Sequence, residues 1–321
     1  MAGETALNWV GKHRDYLSEV SDTIWDYAEV GFQEFKSSKL LADELEKAGF
    51  TVERAVAGLP TAFVATWGSG SPRLGFLAEY DALPGLSQKV TTHREPVKEG
   101  APGHGCGHNI FGAGVMGAVI ALKEEMKEDK LPGTIVFYGC PAEELLAGKV
   151  FMARAGLFDD LDCALTWHPM GFNMVSLGSM TAMNSVKFTF HGIPAHAAAS
   201  PEQGRSALDA VELMDIGANY LREHVVQEAR IHYVITNGGG EPNVVPPEAQ
   251  VWYYVRAPKR KDVDAIFERL VKIADGAAMM TDTTYDMKFS TACYDVLPNK
   301  ALATLLNDSM KKNRSAYMER R

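Results

Sequence analysis

Two histidines, one cysteine and three glycines share the seven positions from 103 to 109, GHGCGHN. A thiolate and an imidazole are good ligands for Zn²⁺ and acceptable ligands for Mn²⁺. Cys106 and His108 are separated only by Gly107, which leaves the backbone free to turn both donor atoms towards one side. The heptad therefore predicts half of a metal site.

Further donor groups follow apolar runs elsewhere in the chain. They are Glu79 and Asp81 after residues 74–78, Glu143 and Glu144 after residues 134–140, and His168 after residues 163–167. Ligands of open α/β sheets bind beyond the carboxyl ends of the strands, so we expect these groups to converge with the heptad on one crevice. Glu144 and His168 can then complete the coordination, while Glu143 accepts a proton from a water molecule whose pKa the metal lowers. This is the apparatus of a metal-dependent hydrolase.

Each of these residues alone also has an ordinary structural explanation. Two glutamates at the start of a helix favour the helix dipole, and His168 after a buried strand is also typical of a hydrogen-bonded core histidine. The combination of donors favours the metal site over these explanations. The remaining histidines with no comparable context are interpreted as structural or exposed: His13, His93, His104, His224 and His232.

The elements that must position these groups are visible in the apolar pattern. Amphipathic stretches at residues 7–30 and 38–49 predict two opening helices. Short apolar runs then alternate with helical stretches: strands at 62–66, 74–78, 134–138 and 163–166, and helices at 110–125 and 143–155. This alternation predicts an α/β fold with a mostly parallel sheet and helices on both faces.

The pattern changes in the middle of the chain. Strands are predicted at 185–190, 231–236, 250–256 and 285–292, and helices at 207–226 and 263–280. The order βαββαβ is the ferredoxin-like pattern and indicates a small inserted domain. We therefore predict a metal-binding catalytic domain over residues 1–182, the inserted domain over 183–297, and the start of a return to the first domain over 298–321.

Composition excludes several classes of protein. The 321 residues are 46% hydrophobic and 23% charged, as in an ordinary soluble globular protein, and carry a net charge of −9. The sequence has no long cluster of basic residues that would bind nucleic acid, and no apolar run long enough to span a membrane. Neither is therefore an expected partner. The four cysteines are too sparse for a disulfide framework, and the first residues lack the apolar region of a signal peptide. Both features predict a cytoplasmic protein.

Five motifs in succession resemble the M20 metallopeptidase and amidohydrolase family over essentially the whole chain. They are LAEYDALPG (77–85), GHGCGHN (103–109), FYGCPAEE (137–144), TWHP (166–169) and AHAAASPEQGRSALDA (195–210). The resemblance implies that four residues ligate two divalent cations, with Cys106 bridging them: Cys106, His108, Glu144 and His168. It also implies that Glu143 is the general base. The thiolate favours Zn²⁺ by its softness, whereas the family resemblance favours Mn²⁺.

The resemblance assigns roles to four further residues. Asp81 orients a ligand, although the usual His-x-Asp is Glu79-Tyr80-Asp81 here; the cysteine-containing branch shares this departure, and His108 supplies its imidazole. In the inserted dimerisation and lid domain, His196 reaches across a dimer to stabilise the oxyanion. Asn243 and Arg256 hold the substrate, Arg256 through a terminal carboxylate. A surface cation at the end of a strand remains the other interpretation of Arg256.

The implied function is hydrolysis of an amide bond in an N-acyl amino acid, p-aminobenzoyl-glutamate or a dipeptide-like substrate, by a homodimer or by a hetero-oligomer with a related subunit. Family members have a further segment that supplies one last histidine ligand, whereas this sequence has no histidine after His232. A truncated sequence, a split protein or a degenerate form would each explain the difference. The alternative function is therefore a non-catalytic partner subunit that dimerises through the inserted domain.

Overall fold

The computed structural model describes residues 3–318, and the side chains of residues 3–312. The chain forms two compact units that divide between Phe172 and Asn173. Positions 1–2 of the predicted first domain and 319–321 of the predicted return segment lie outside the described residues. No helix in the described part of the chain is both long enough and apolar enough to cross a membrane.

Over residues 3–172 the first unit contains five α-helices and five strands. The helices are α1 (Glu4–Lys12), α2 (Arg14–Tyr27), α3 (Phe35–Lys47), α4 (His108–Glu128) and α5 (Gly148–Arg154). The strands are β1 (Thr51–Arg54), β2 (Phe63–Ser69), β3 (Arg73–Ala78), β4 (Gly133–Gly139) and β5 (Cys163–Leu165). The single helix predicted over 7–30 is two helices, because the backbone leaves the helical region at His13 (φ −110°, ψ 20°).

The strands form one sheet in the order β1-β2-β4-β3-β5. β2 is antiparallel to both of its neighbours, whereas β3 is parallel to β4 and β5, so four of the five strands run in the same direction. Ala78 of β3 pairs with Gly139 of β4, which brings the carboxyl ends of these two strands to the same edge. The α/β fold class predicted from the sequence is confirmed.

Both faces of the sheet are covered, as the fully buried β4 shows. On one face Phe137 packs with residues of α2, α3 and α4, including Ile24 and Phe111. On the other face Tyr138 packs with Met152 of α5. Successive side chains of a strand point to opposite faces, so a strand between two helical layers is apolar at every position.

The second unit follows the order β-α-β-β-α-β and then adds a helix. Its elements are β6 (Ala182–His191), α6 (Ala207–Leu221), β7 (Arg230–Asn237), β8 (Glu248–Ala257), α7 (Arg260–Thr281), β9 (Thr284–Cys293) and α8 (Lys300–Met318). The strands form an antiparallel sheet in the order β7-β8-β6-β9. Phe188 and Tyr253 of this sheet pack against Val211 of α6 and Leu270 of α7, which gives the unit a core of its own.

Candidate metal centre

Four segments of the first unit carry the side chains of the candidate site. Glu79 and Asp81 follow β3, a 3₁₀ turn at Glu143–Leu145 follows β4, and His168 follows β5. The fourth segment is the heptad, whose last two residues begin α4. Gly107, the residue before α4, has φ 81°, a conformation that side chains with a Cβ rarely adopt. The heptad can therefore turn sharply between Cys106 and His108.

His108 is completely buried and is fixed by Asp81. Nδ1 of His108 lies 2.8 Å from Oδ1 of Asp81, and the second oxygen of Asp81 accepts the backbone N–H of Glu144 at 2.9 Å. A carboxylate only accepts, so Nδ1 is the donor and Nε2 keeps the lone pair that can bind a metal. Asp81 thus joins the start of α4 to the turn after β4.

Cys106, His108 and His168 form one group of potential metal ligands. Their donor atoms all lie within 4.8 Å of one another, and Sγ of Cys106 is 3.3 Å from Nε2 of His168. Nδ1 of His168 donates to the carbonyl oxygen of Pro169 at 2.9 Å, so both imidazoles leave Nε2 for coordination. Cys106 is half-buried and His168 is exposed, which leaves one side of the group open.

Glu79, His108 and Glu143 form a second group of potential ligands, also with donor atoms within 4.8 Å of one another. Nε2 of His108 is 3.1 Å from Oε2 of Glu79 and 3.8 Å from Oε2 of Glu143. The other oxygen of Glu79 pairs with the ammonium group of Lys149 on α5. The sequence placed Glu79 among the donor groups at the strand ends but assigned it no role of its own, and it gave no indication of Lys149.

Three buried polar atoms of this cluster have no hydrogen-bond partner among the described residues. They are Oε2 of Glu79, Nε2 of His108 and Oε1 of Glu144. Burying such atoms without a partner is costly, and a divalent cation is the group that satisfies oxygen and nitrogen lone pairs together. The residues present therefore fit a metal ion.

The surroundings of the cluster disfavour free negative charge. Burial raises the pKa of Glu143 and of Glu144, and burial together with Glu144 raises the pKa of Cys106 to about 11. Burial lowers the pKa of His108, but the hydrogen bond to Asp81 and the nearby carboxylates outweigh it, so the net shift is upward. A bound cation would reverse the effect on the thiol, because coordination deprotonates it.

The other histidine of the heptad lies outside both groups. His104 is buried, and its Nε2 donates to the carbonyl oxygen of Ile24 at 3.0 Å. Burial lowers the pKa of His104 to about 4, so the ring is neutral. Its contacts are those of a structural residue.

The remaining sequence-predicted residues lie in the second unit. His196 and Asn243 are neighbours: His196 forms a β-bridge with Val244, and the carbonyl oxygen of Asn243 accepts the N–H of Ala197 at 2.9 Å. Nδ1 of His196 accepts the backbone N–H groups of residues 198 and 199, so the other ring nitrogen carries the proton of the neutral ring; the residue as a whole is exposed. Arg256 lies on β8 above the ring of Tyr254.

Comparisons with known proteins agree with one another. The sequence profile of peptidase family M20/M25/M40 matches residues 75–319. The chain is 48% identical over 299 residues to a p-aminobenzoyl-glutamate hydrolase subunit of Escherichia coli K12, a match that covers 92% of this chain. The chain spans only 62% of the length of that relative. It is 31% identical over 321 residues to mouse Xaa-Arg dipeptidase, covering 96% of this chain and 70% of the dipeptidase.

A solved structure supports the fold. The crystal structure of the aminobenzoyl-glutamate utilization protein from Klebsiella pneumoniae matches with a TM-score of 0.76 at 22% identity. The match covers 94% of this chain and 81% of that chain, so the fold of almost all of this chain corresponds to part of that structure.

Proposed function

The chain belongs to peptidase family M20/M25/M40, and on this premise we propose that it acts in the metal-dependent hydrolysis of an amide bond. The observation that carries the proposal is the position of Glu143. Its carboxylate lies beside the metal-facing nitrogen of His108, within 4.8 Å of the other donors of its group. A carboxylate at this place can accept a proton from a water molecule bound to a cation that these ligands would hold.

Four residues are proposed to bind two divalent cations, either Mn²⁺ or Zn²⁺: Cys106, His108, Glu144 and His168. When bound, these cations polarise the scissile carbonyl group and lower the pKa of the attacking water. Asp81 keeps Nδ1 of His108 protonated and so directs Nε2 towards the cation. The donor set suits both metals, since the thiolate of Cys106 favours Zn²⁺ and the carboxylate of Glu144 suits Mn²⁺.

Glu143 is proposed as the general base. It accepts the proton of the attacking water and then delivers it to the departing amine. Burial raises the pKa of Glu143, which makes it a better proton acceptor than an exposed glutamate. Its neighbour Glu144 has its backbone fixed by Asp81, so the two adjacent carboxylates are held in different surroundings.

The second unit is proposed to serve substrate binding and assembly. We assign His196 to the oxyanion of a partner subunit's substrate, and Asn243 and Arg256 to the substrate itself. A guanidinium binds a terminal carboxylate through two parallel hydrogen bonds, which suits the amino-acid end of such amides.

Two relatives support assembly with a related chain. The Escherichia coli relative is named as one subunit of a hydrolase, and the other named subunit of that hydrolase is itself 29% identical to this chain over 306 residues. A hetero-oligomer of two similar chains is therefore one proposed assembly, and a homodimer is the other.

The proposed substrates are p-aminobenzoyl-glutamate, other N-acyl amino acids and dipeptides, in line with the names of these relatives and of the mouse dipeptidase. The test is hydrolysis of this panel by the full chain loaded with Mn²⁺ or Zn²⁺. We expect turnover by the wild type and none by Glu143→Ala at normal metal content. Glu53→Gln, a change at an exposed position of β1, is the control. Metal binding without turnover of any substrate would instead favour a non-catalytic role within an oligomer.

A further inference from the structure

Glu79 faces the one ring nitrogen of His108 that is free to bind a metal. Oε2 of Glu79 lies 3.1 Å from Nε2 of His108, and their side chains are 7% and 0% exposed. Neither atom has a hydrogen-bond partner among the described residues. Nδ1 carries the proton donated to Asp81, so Nε2 is the ring nitrogen that can offer a lone pair beside Oε2 of Glu79. The carboxylate of Glu143 completes the group: the donor atoms of Glu79, His108 and Glu143 all lie within 4.8 Å of one another, close enough to share one cation.

The carboxylate of Glu79 is held in this orientation by α5. The ammonium group of Lys149 pairs with Oε1 of Glu79 and leaves Oε2 directed at His108. The start of α5 is fixed by a close approach to the chain after β4, since a Cβ on Gly148 would lie 1.8 Å from the carbonyl oxygen of Pro141. The orientation of Glu79 is therefore built into the packing of the site.

We propose that Glu79 is a further metal ligand in this chain and binds the same cation as Nε2 of His108. The inference rests on the proposed function only in that a divalent cation binds at His108. Glu79 is not among the four metal ligands of that proposal. The two groups of donors share a single nitrogen, and Nε2 binds one cation at a time, so Glu79 extends the coordination of that cation instead of creating a separate site.

The added carboxylate has a consequence for metal preference. Carboxylate oxygens suit Mn²⁺, whereas the thiolate of Cys106 and the imidazoles suit Zn²⁺. Removing the negative charge of Glu79 should therefore weaken Mn²⁺ binding more than Zn²⁺ binding. A glutamate that only neutralises Lys149 would produce no such difference.

The experiment is calorimetric titration of the metal-free full chain with MnCl₂ and with ZnCl₂. For Glu79→Gln we expect an increase in the Mn²⁺ dissociation constant of at least about tenfold, and a smaller increase for Zn²⁺. The absorption spectrum of the Co²⁺-substituted protein should change as well, because a ligand is lost. Unchanged affinities and an unchanged spectrum would overturn the assignment.

Two variants guard against a folding defect. The double variant Glu79→Gln/Lys149→Met removes the ligand without leaving an unpaired ammonium group, and we expect the same loss of Mn²⁺ affinity from it. Glu53→Gln should bind both metals like the wild type. If the double variant is folded and binds Mn²⁺ with wild-type affinity, Glu79 is not a ligand. If the wild type binds neither metal, both this assignment and the proposed function fail, which distinguishes that result from failure of Glu79 alone.

Discussion

Asp81 accepts a hydrogen bond from Nδ1 of His108 at 2.8 Å, and both side chains are completely buried. This contact fixes the tautomer of the imidazole. Asp81 also accepts the backbone N–H of Glu144, so one carboxylate controls two residues of the site.

We expect Asp81→Ala to weaken binding of Mn²⁺ or Zn²⁺ by about 10–100-fold, the usual effect of removing a group that orients a metal-binding histidine. Calorimetric titration of the metal-free variant measures it, with Glu53→Gln as the control. Metal affinity equal to that of the wild type would show that His108 does not depend on Asp81.

Glu34 holds the backbone directly before Glu143 in place. Its side chain is fully buried; Oε1 accepts the N–H of Ala142 at 2.8 Å, and Oε2 accepts the hydroxyl of Thr61 at 2.9 Å. Glu34→Ala leaves both donors buried and unpaired, at a cost of about 1–3 kcal/mol each. We therefore expect a clear loss in the free energy of unfolding, measured with urea.

Glu34→Gln supplies the matched comparison. Its amide oxygen can accept the N–H of Ala142, and its amide nitrogen can donate to the hydroxyl of Thr61. We expect it to retain most of the free energy of unfolding that Glu34→Ala loses. Equal losses in both variants would mean that the charge of Glu34, and not its hydrogen bonds, supports the turn.

Gly107 gives the heptad a backbone conformation that other residues rarely adopt. It adopts φ 81°, and a Cβ would lie 3.2 Å from Cβ of Pro169. Gly107→Ala should cost about 1–2 kcal/mol for the left-handed conformation and should weaken metal binding, because Cys106 and His108 flank the strained residue. Thermal unfolding and metal titration of the variant test both effects; a variant with normal metal affinity would show that the loop adapts.

Asp215 makes the stability of the second unit depend on pH. Burial raises its pKa from 3.8 to about 6, although the hydrogen bond from Tyr253 opposes the shift. The folded state therefore binds more protons than the unfolded state between these values, so the contribution of Asp215 to stability falls as pH rises from about 4 to about 6. Over this range we expect a loss of up to about 3 kcal/mol relative to Asp215→Asn.

Urea denaturation of both proteins at several pH values measures this difference. The Asn variant has no titrating carboxyl group at this position, so the difference between the two curves isolates Asp215. Parallel curves between pH 4 and pH 6 would contradict the prediction.

The sequence predicted the ends of β3 and β4 well because both strands are largely apolar runs with acidic residues close behind them, Glu79 directly after β3 and Glu143 four positions after the last residue of β4. It did not predict the reversed direction of β2, since the apolar pattern of a short strand is the same in either direction. The helix predicted over 143–155 is a 3₁₀ turn followed by α5. Ala142 and Leu146 adopt φ near 50°, a conformation that their residue types do not indicate.

In the candidate site, too, the sequence indicated the residues within its motifs but not the contacts that depend on tertiary packing. The motif pattern identified Cys106, His108 and His168, and the structure brings their donor atoms together. Glu79 was predicted to lie at the same edge of the sheet and was noted as a departure from His-x-Asp, but no role was assigned to it. Its relation to His108 and to Lys149 depends on the packing of α5 against β4, which no local pattern contains.

The central claim is that Glu143 acts as the base in hydrolysis of an amide, with the help of cations bound around His108. The most direct measurement is release of p-aminobenzoate from p-aminobenzoyl-glutamate while the metal-free full chain is titrated with Mn²⁺. We expect saturable activation of the wild type, and normal Mn²⁺ binding without turnover for Glu143→Gln. Turnover that needs no metal, or that survives in Glu143→Gln, would contradict the account.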